Sequence, residues 1–342
     1  MKMRRFLGAI CAIICVMSVS GQVVREGEMA MVYYMPQTQL VIDIEYESVI
    51  LHRGIYADYA KQYLGTTQVI NDDAISYAIT DIKPSVKTVA DYSRMHKVTN
   101  APLLSLTTMG TLYGYGIQND TPTVPNGLKP VANAPIENQQ INVLPLFEEH
   151  IVGKSLAQQA QGAAKLIYRI RENRLYLIGG EVDKTPADGA AMQLALNKMD
   201  QLERQLVELF VGRIETTKHH KTIVYTPVKS EETELAYFSE ETGFTTAGNG
   251  NPITLHITAR RQTKGYANSD NKKGPVPSQI YYNLPGSAVY TIKYQGDTQA
   301  EGDIQVAQFG VSVPLAQDLI DGKQPHSIRF NTETGNILVV EK

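Results

Sequence analysis

Two stretches with a helical period, Leu156 to Asn173 and Pro186 to Phe210, interrupt a chain whose apolar residues otherwise alternate as strands do. In the second stretch, Met192, Ala195, Leu196, Met199, Leu202, Leu206, Leu209 and Phe210 share one broad stripe, and Gln193, Asn197, Gln201, Arg204 and Glu208 lie opposite. Its start is written in Thr185-Pro186-Ala187-Asp188, a hydroxyl N-cap with proline at the first helical position and an acid at N3, and Gly212 fits its stop. In the first stretch, Leu156, Ala160, Ala163, Leu166, Ile167 and Ile170 make a similar stripe whose small residues admit a close neighbour. The pattern predicts two amphipathic helices, each with one core face.

Each stripe carries an ionic intruder. Glu203 falls in the middle of the second stripe, and Arg174, just past the first helix, projects in line with Leu156 and Ile167, with Arg171 at the edge. A lone buried carboxylate is costly, so Glu203 is expected to form a bidentate ion pair with Arg171 or Arg174 that locks the helices in register. Two readings compete with this one: a general acid with a raised pKa, and a side chain that reaches solvent. No second catalytic group can be placed beside Glu203.

The remainder reads as strands and turns. Met29 to Met35 and Gln39 to His52 open the chain, the latter alternating Leu40, Ile42, Ile44 and Tyr46 with Val41, Asp43, Glu45 and Glu47. Tyr56, Tyr59, Tyr63 and Leu64 carry a short helical turn to Gly65, and strands are expected at Ala74 to Ile82, Leu103 to Thr108 and Leu112 to Ile117. Asn119 to Gln140, rich in Pro, Asn, Thr and Gly, reads as a long exposed loop. Arg174 to Gly180 reads as a strand or extended connection between the helices. Eight further runs follow, among them Ile214 to Val228, Gln279 to Asn283, Ala288 to Tyr294 and Ile304 to Val311, with turn signals such as Leu284-Pro285-Gly286 between them.

The expected class is therefore α+β, with antiparallel β-rich regions before and after a central pair of amphipathic helices, and a sandwich-like C-terminal part. Residues 1–21 read as a secretory signal, 22–150 as an N-terminal β-rich region, 151–212 as the helix pair and 213–342 as the C-terminal β region. The signal rests on Lys2, Arg4 and Arg5 before the apolar run Phe6 to Val19 and the small residues Ser20 and Gly21. Cleavage before Gln22 would take the net charge from −3 to −6 by removing those three positive charges. It would also remove Cys11 and Cys15, the only two cysteines, so no disulfide, thiol nucleophile or cysteine-based zinc site is expected. An acidic mature chain argues against nucleic acid, since Lys218 to Lys221 and Lys272-Lys273 are too short to make a basic stripe. No later stretch is apolar enough to cross a membrane as a helix.

Several segments together carry a resemblance. Met35-Pro36-Gln37-Thr38, Gly54 with Tyr56-Ala57-Asp58-Tyr59-Ala60, Ile170-Arg171-Glu172-Asn173-Arg174, Leu209-Phe210-Val211-Gly212, Tyr281-Tyr282-Asn283-Leu284-Pro285-Gly286 and Gln308-Phe309-Gly310 resemble those of an uncharacterised Bacteroidota family of exported proteins, a domain of unknown function. The resemblance implies a Gram-negative envelope setting, in the periplasm or associated with the outer membrane, and supplies no reaction or ligand.

Motifs that carry chemistry are few. No Gly-x-Ser-x-Gly elbow, phosphate loop or His-Glu-x-x-His pair is present, and no cofactor is implied. His219 and His220, adjacent on a strand, are expected to face opposite ways, and Glu148-Glu149-His150 reads as a charged surface turn. Asn268 to Gly274 resembles a calcium loop but places Lys272 where an oxygen ligand belongs. The 19 tyrosines, with no tryptophan, suit half-buried strands. Tyr33, Tyr34, Tyr281 and Tyr282 are candidates for a glycan platform, at most one of each adjacent pair facing it. The reading that results is a non-enzymatic binding or structural role, through loops or sheet edges, toward another envelope protein or a glycan. The alternative is a hydrolase of envelope polymers using carboxylates such as Glu203, Glu181 and Asp183.

Overall fold

The computed structural model describes residues 30–99, 101, 103–117, 154–180, 189–261, 279–320 and 326–341. The expected signal segment Met1 to Gly21, Asn119 to Gln140, Glu148 to His150, Glu181, Asp183, Thr185 to Asp188 and Asn268 to Gly274 lie outside the described residues.

A single strand organises the molecule. β1 (Ala30–His52) runs 23 residues without interruption, about 75 Å at the rise of an antiparallel strand. The two runs expected on either side of Pro36 are one strand. Pro36 is tolerated because the second neighbour, β5 (Arg213–Tyr225), pairs only with Leu40 to His52, so the missing N–H lies where β1 has one partner. β2 (Ala74–Thr99) pairs with β1 over nearly its whole length and extends 17 residues past the expected Ile82. It forms the edge of the three-stranded sheet β2-β1-β5, which is where its own Pro84 can be accommodated.

A second sheet has the order β10-β9-β8-β6-β7, built from β6 (Glu231–Ser239), β7 (Gly243–Thr245), β8 (Asn251–Arg261), β9 (Tyr281–Tyr294) and β10 (Asp297–Pro314). Leu284-Pro285-Gly286 does not turn the chain. It sits inside β9, opposite a register jump on β10 between Val306 and Val311. The bulge on the partner strand removes the hydrogen bond that Pro285 cannot make. The third sheet, β12-β11-β4-β3, joins β3 (Leu104–Leu106) and β4 (Leu112–Tyr115) to β11 (Ser327–Phe330) and β12 (Ile337–Glu341). The β regions before and after the helices thus interleave, through β1 with β5 and through β4 with β11.

Three hydrophobic clusters follow one another along β1. Leu40, Ile42 and Ile44 face Phe238, Leu255 and Ile292 across a sandwich of the first two sheets. Nearer the start of β1, Tyr33 and Met35 pack with Leu104, Tyr115, Ile328 and Phe330 of the third sheet. Beyond its end, Tyr56 joins Ala160, Ala163, Ile167, Leu206 and Phe210. The even-numbered alternation of the middle of β1 turns those residues inward, as period two requires.

The third cluster belongs to α1 (Ala60–Leu64), α2 (Leu156–Gly179) and α3 (Gly189–Val211). Ser155 caps α2 through a reciprocal box with Gln158. Arg174 to Gly179, expected to be extended, continues α2. Six residues of mixed apolar character fit either period, and the chain breaker is Gly180, left-handed at φ 73°. Gly212 ends α3 at φ 91°, and a Cβ there would lie 2.5 Å from His52 O. A Cβ at Gly54 would likewise lie 2.5 Å from Leu209 O. These two glycines let the end of α3 lie backbone to backbone against the end of β1, where Tyr56 N–H donates to Leu209 O at 2.7 Å.

Candidate functional site

The helical seam brings together the three residues singled out by period. Arg171 Nε lies 2.7 Å from Glu203 Oε1, and Arg174 Nη2 pairs with Glu203 Oε2, so each carboxylate oxygen has its own guanidinium. Arg174 also reaches Asp200 at 2.7 Å, and Arg171 lies over the Tyr168 ring, 5.7 Å from its centre. Burial pushes the Glu203 carboxyl upward, but the hydrogen bonds and charges of the two guanidiniums outweigh it and hold the carboxyl below its ordinary range. Glu203 is therefore an ionised acceptor at neutral pH, the opposite of what a general acid requires. An open groove of about 530 Å³ runs beside it, lined by Arg171, Asp200, Glu203, Arg204, Val207 and Glu208.

A second polar cluster, which sequence reasoning missed, lies where the three sheets meet. Between Tyr34 and Met35 the pairing on β2 jumps from Met95 to Asp91, leaving Tyr92, Ser93 and Arg94 as a bulge. Asp91, buried, accepts Ser93 N–H at 3.0 Å, Ser93 Oγ–H at 2.5 Å and Arg94 Nε–H at 2.8 Å. Burial pushes the Asp91 carboxyl up, and the bonds from Ser93 and Arg94 more than reverse it. Arg94 also donates to Pro36 O at 2.6 Å and Asn283 Oδ1 at 3.3 Å. Asn283, fully buried, spends its amide on Ala307 O at 3.0 Å and Thr334 O at 2.7 Å. β1, β2, β9, β10 and the turn before β12 are thus tied at one point.

The bulge turns one ring outward. Tyr92 is 75% exposed, on an edge strand, with its flanking residues fixed. Tyr34 meets it edge-on, with ring centres 4.9 Å apart. Tyr34 is itself seated on Gly110, whose carbonyl accepts its N–H at 2.9 Å. Met95 and Val32 are exposed beside them on the neighbouring outward positions of the same two strands. The local signal for this site is the Asp-x-Ser turn chemistry of Asp91 and Ser93, which marks a departure from a plain strand.

The other candidates are dispersed. Tyr33 is fully buried, its hydroxyl donating to Tyr281 O at 3.0 Å and accepting from Tyr281 N at 2.7 Å, so only Tyr34 of its pair faces out. Tyr33 and Tyr281 bracket His96, with ring centres at 5.5 and 5.0 Å. Tyr282 packs on Phe330. His219 stacks on Tyr46 and bonds Ser48 Oγ at 2.9 Å, while His220 lies on the opposite face, 3.4 Å from Asp43. Lys218 and Lys221 stand on β5, the first near Glu47 and the second over the Phe244 ring. Among the described residues no three His, Cys, Asp or Glu side chains are grouped as a metal site, and no helix is long and apolar enough to cross a membrane.

A family model described as a domain of unknown function (DUF4831) matches residues 29–338. No curated protein and no solved structure is similar enough to match.

Proposed function

We propose a binding role for this chain, which belongs to the DUF4831 family, a domain of unknown function. On this reading it is exported to the cell envelope and engages another envelope protein or a glycan through the edge of its first sheet, without catalysing a reaction. The observation that carries the proposal is Tyr92, a ring held into solvent by a bulge whose neighbours are fixed by a buried network. A rigid, exposed tyrosine beside a second tyrosine and a methionine has the composition of an interface centre, with little side-chain entropy to lose on binding. The basic residues Lys2, Arg4 and Arg5 before the apolar run Phe6 to Val19 support export.

The hydrolase alternative loses its strongest acid, because Glu203 is neutralised by two guanidiniums and the neighbouring Asp200 is engaged by one of them. The test is pull-down from envelope fractions and a glycan array, each run with wild type and Tyr92→Ala. A specific partner or glycan lost in the variant, with unchanged unfolding, supports the proposal. Retention of every bound species by the variant moves the interface elsewhere, and an N-terminus at Met1 in protein from the native cell removes the export reading.

A further inference from the structure

The first sheet has a second edge, opposite the one that carries Tyr92. There β5 is paired on one side only, along 13 residues without proline or register shift. Just past the end of β5, Thr38 N–H on β1 donates to Gln308 Oε1 and Thr38 O accepts from Gln308 Nε2, both at 2.8 Å. The even-numbered residues of β1 therefore turn their backbone bonds away from β2 and toward β5. The odd-numbered residues of β5 face them and take those bonds. Ile214, Thr216, Lys218, His220, Thr222 and Val224 are left with N–H and C=O on the free side. All six are exposed, and among the described residues no backbone group bonds to that side. The other edges are short or interrupted. β3 and β7 have 3 residues each and β12 has 5. β2 carries Pro84 and two register shifts, Glu240 O takes its Tyr77 N–H, and β10 is shifted twice. Short length, proline and bulges keep an edge from pairing, and of the usual devices β5 has only its lysines.

We propose that β5 accepts an extended segment of another protein as a further antiparallel strand of this sheet, with carboxylates of that segment opposite Lys218 and Lys221. The row of free donors and acceptors supplies the affinity, and the side chains select the partner. Lys218 meets Glu47 at 3.7 Å and keeps 86% of its side chain exposed, while Lys221, on the other face of the sheet, lies 4.1 Å from the centre of the Phe244 ring. Two acids three residues apart on an added strand fall on opposite faces and so reach one lysine each. Ile214 and Val224, exposed on the face of Lys218, favour apolar residues at the two ends of the segment. The same lysines exclude a second copy, because β5 paired with itself about a two-fold axis sets the basic middle Lys218-His219-His220-Lys221 of one copy against that of the other, and like charges across a strand pair repel. The proposal is independent of the role given to Tyr92.

The probe is a synthetic eleven-residue peptide with valine at both ends, glutamate at its fourth and seventh positions and threonine elsewhere. Laid antiparallel with its first residue opposite Val224, it sets the glutamates opposite Lys221 and Lys218. The full chain is titrated with this peptide and with one that has lysine in place of both glutamates. The expected result is saturable binding of the acidic peptide, with amide hydrogen exchange slowed in β5, and binding of the basic peptide about tenfold weaker as two cross-strand attractions become repulsions. His220→Pro removes a free-side donor without touching a bond to β1, and is expected to abolish binding with an unaltered melting curve. Lys218→Glu combined with Lys221→Glu, a change of two exposed side chains, is expected to reverse the preference between the peptides, and it decides the matter if the proline variant fails to fold. No binding of the acidic peptide, equal binding of the two, binding that survives His220→Pro, or a preference that survives the double variant overturns the proposal. So does a concentration-dependent dimer of the peptide-free chain that His220→Pro dissolves, which would give the edge to a second copy.

Discussion

The molecule clamps a carboxylate with arginine in two places, and the two clamps are built differently. In the hairpin, Glu203 is held by Arg171 and Arg174 from the facing helix, and all the charge lies along one seam beside an open groove. At the sheet junction, Asp91 is held by Arg94 three residues along the same strand, and the guanidinium then spans to β1 and β9. The first clamp aligns two elements and remains near water. The second is one part of a network that joins segments from both ends of the chain. A charge in a seam can be screened and relaxed, whereas a charge bonded to buried carbonyls has no replacement partner when its counter-ion is removed.

The comparison fixes an order of effects. Asp91→Ala leaves Arg94 without its carboxylate among buried groups and is expected to cost about 3 kcal/mol in urea unfolding. Glu203→Gln leaves two guanidiniums facing a neutral amide, with Asp200 still available to Arg174, and is expected to cost about 2 kcal/mol. If the order reverses, the seam is the principal anchor and the bulge a local feature. Both carboxyls titrate lower in the folded chain than in the unfolded one. Their stabilisation is therefore complete above the ordinary carboxylate range and is lost as the pH falls through the depressed values.

The same contrast explains what could be read from the sequence. Glu203, Arg171 and Arg174 were legible because a helix has a fixed period, so a charge in an apolar stripe is visible within ten residues. The α+β class and most strands were legible from alternation for the same reason. The length of β1 and β2 was not, because Pro36 and Pro84 look like breakers until it is known that each sits where a neighbouring strand is missing. Leu284-Pro285-Gly286 has turn composition, and only the bulge on β10, some twenty residues later, lets it stay extended. The Asp91 network joins positions 91, 94, 283, 307 and 334. No local pattern encodes that meeting, since it depends on which strands pair.

A smaller effect separates the two regions by pH. His96 lies between Tyr33 and Tyr281, near Arg94, and burial and that guanidinium both hold its pKa below the ordinary histidine value. The folded chain therefore resists a proton that the unfolded chain accepts. The stability that neutral His96 confers is complete above about pH 6.5 and falls as the pH drops toward the depressed value. Unfolding measured between pH 7 and pH 5 should show a loss that His96→Gln abolishes and that Glu203→Gln leaves in place. A loss that persists in His96→Gln would assign mild-acid sensitivity to another group.

The smallest expected effect is the most informative about function. Tyr92 sits on the same bulge as Arg94, next to Asp91, but touches the molecule through Tyr34. Its ring is mostly in water, so truncation removes little buried apolar surface and creates no cavity. Tyr92→Ala should therefore stay within about 0.5 kcal/mol of wild type, the range of surface substitutions, while Asp91→Ala three atoms of backbone away does not. A wide gap between these two neighbours means that the buried network exists independently of the ring it holds out. The exposed ring is then free of the anchor, as the binding role proposed for this edge requires. A Tyr92→Ala loss approaching that of Asp91→Ala would make the ring part of the anchor and remove the basis for a binding surface at this edge.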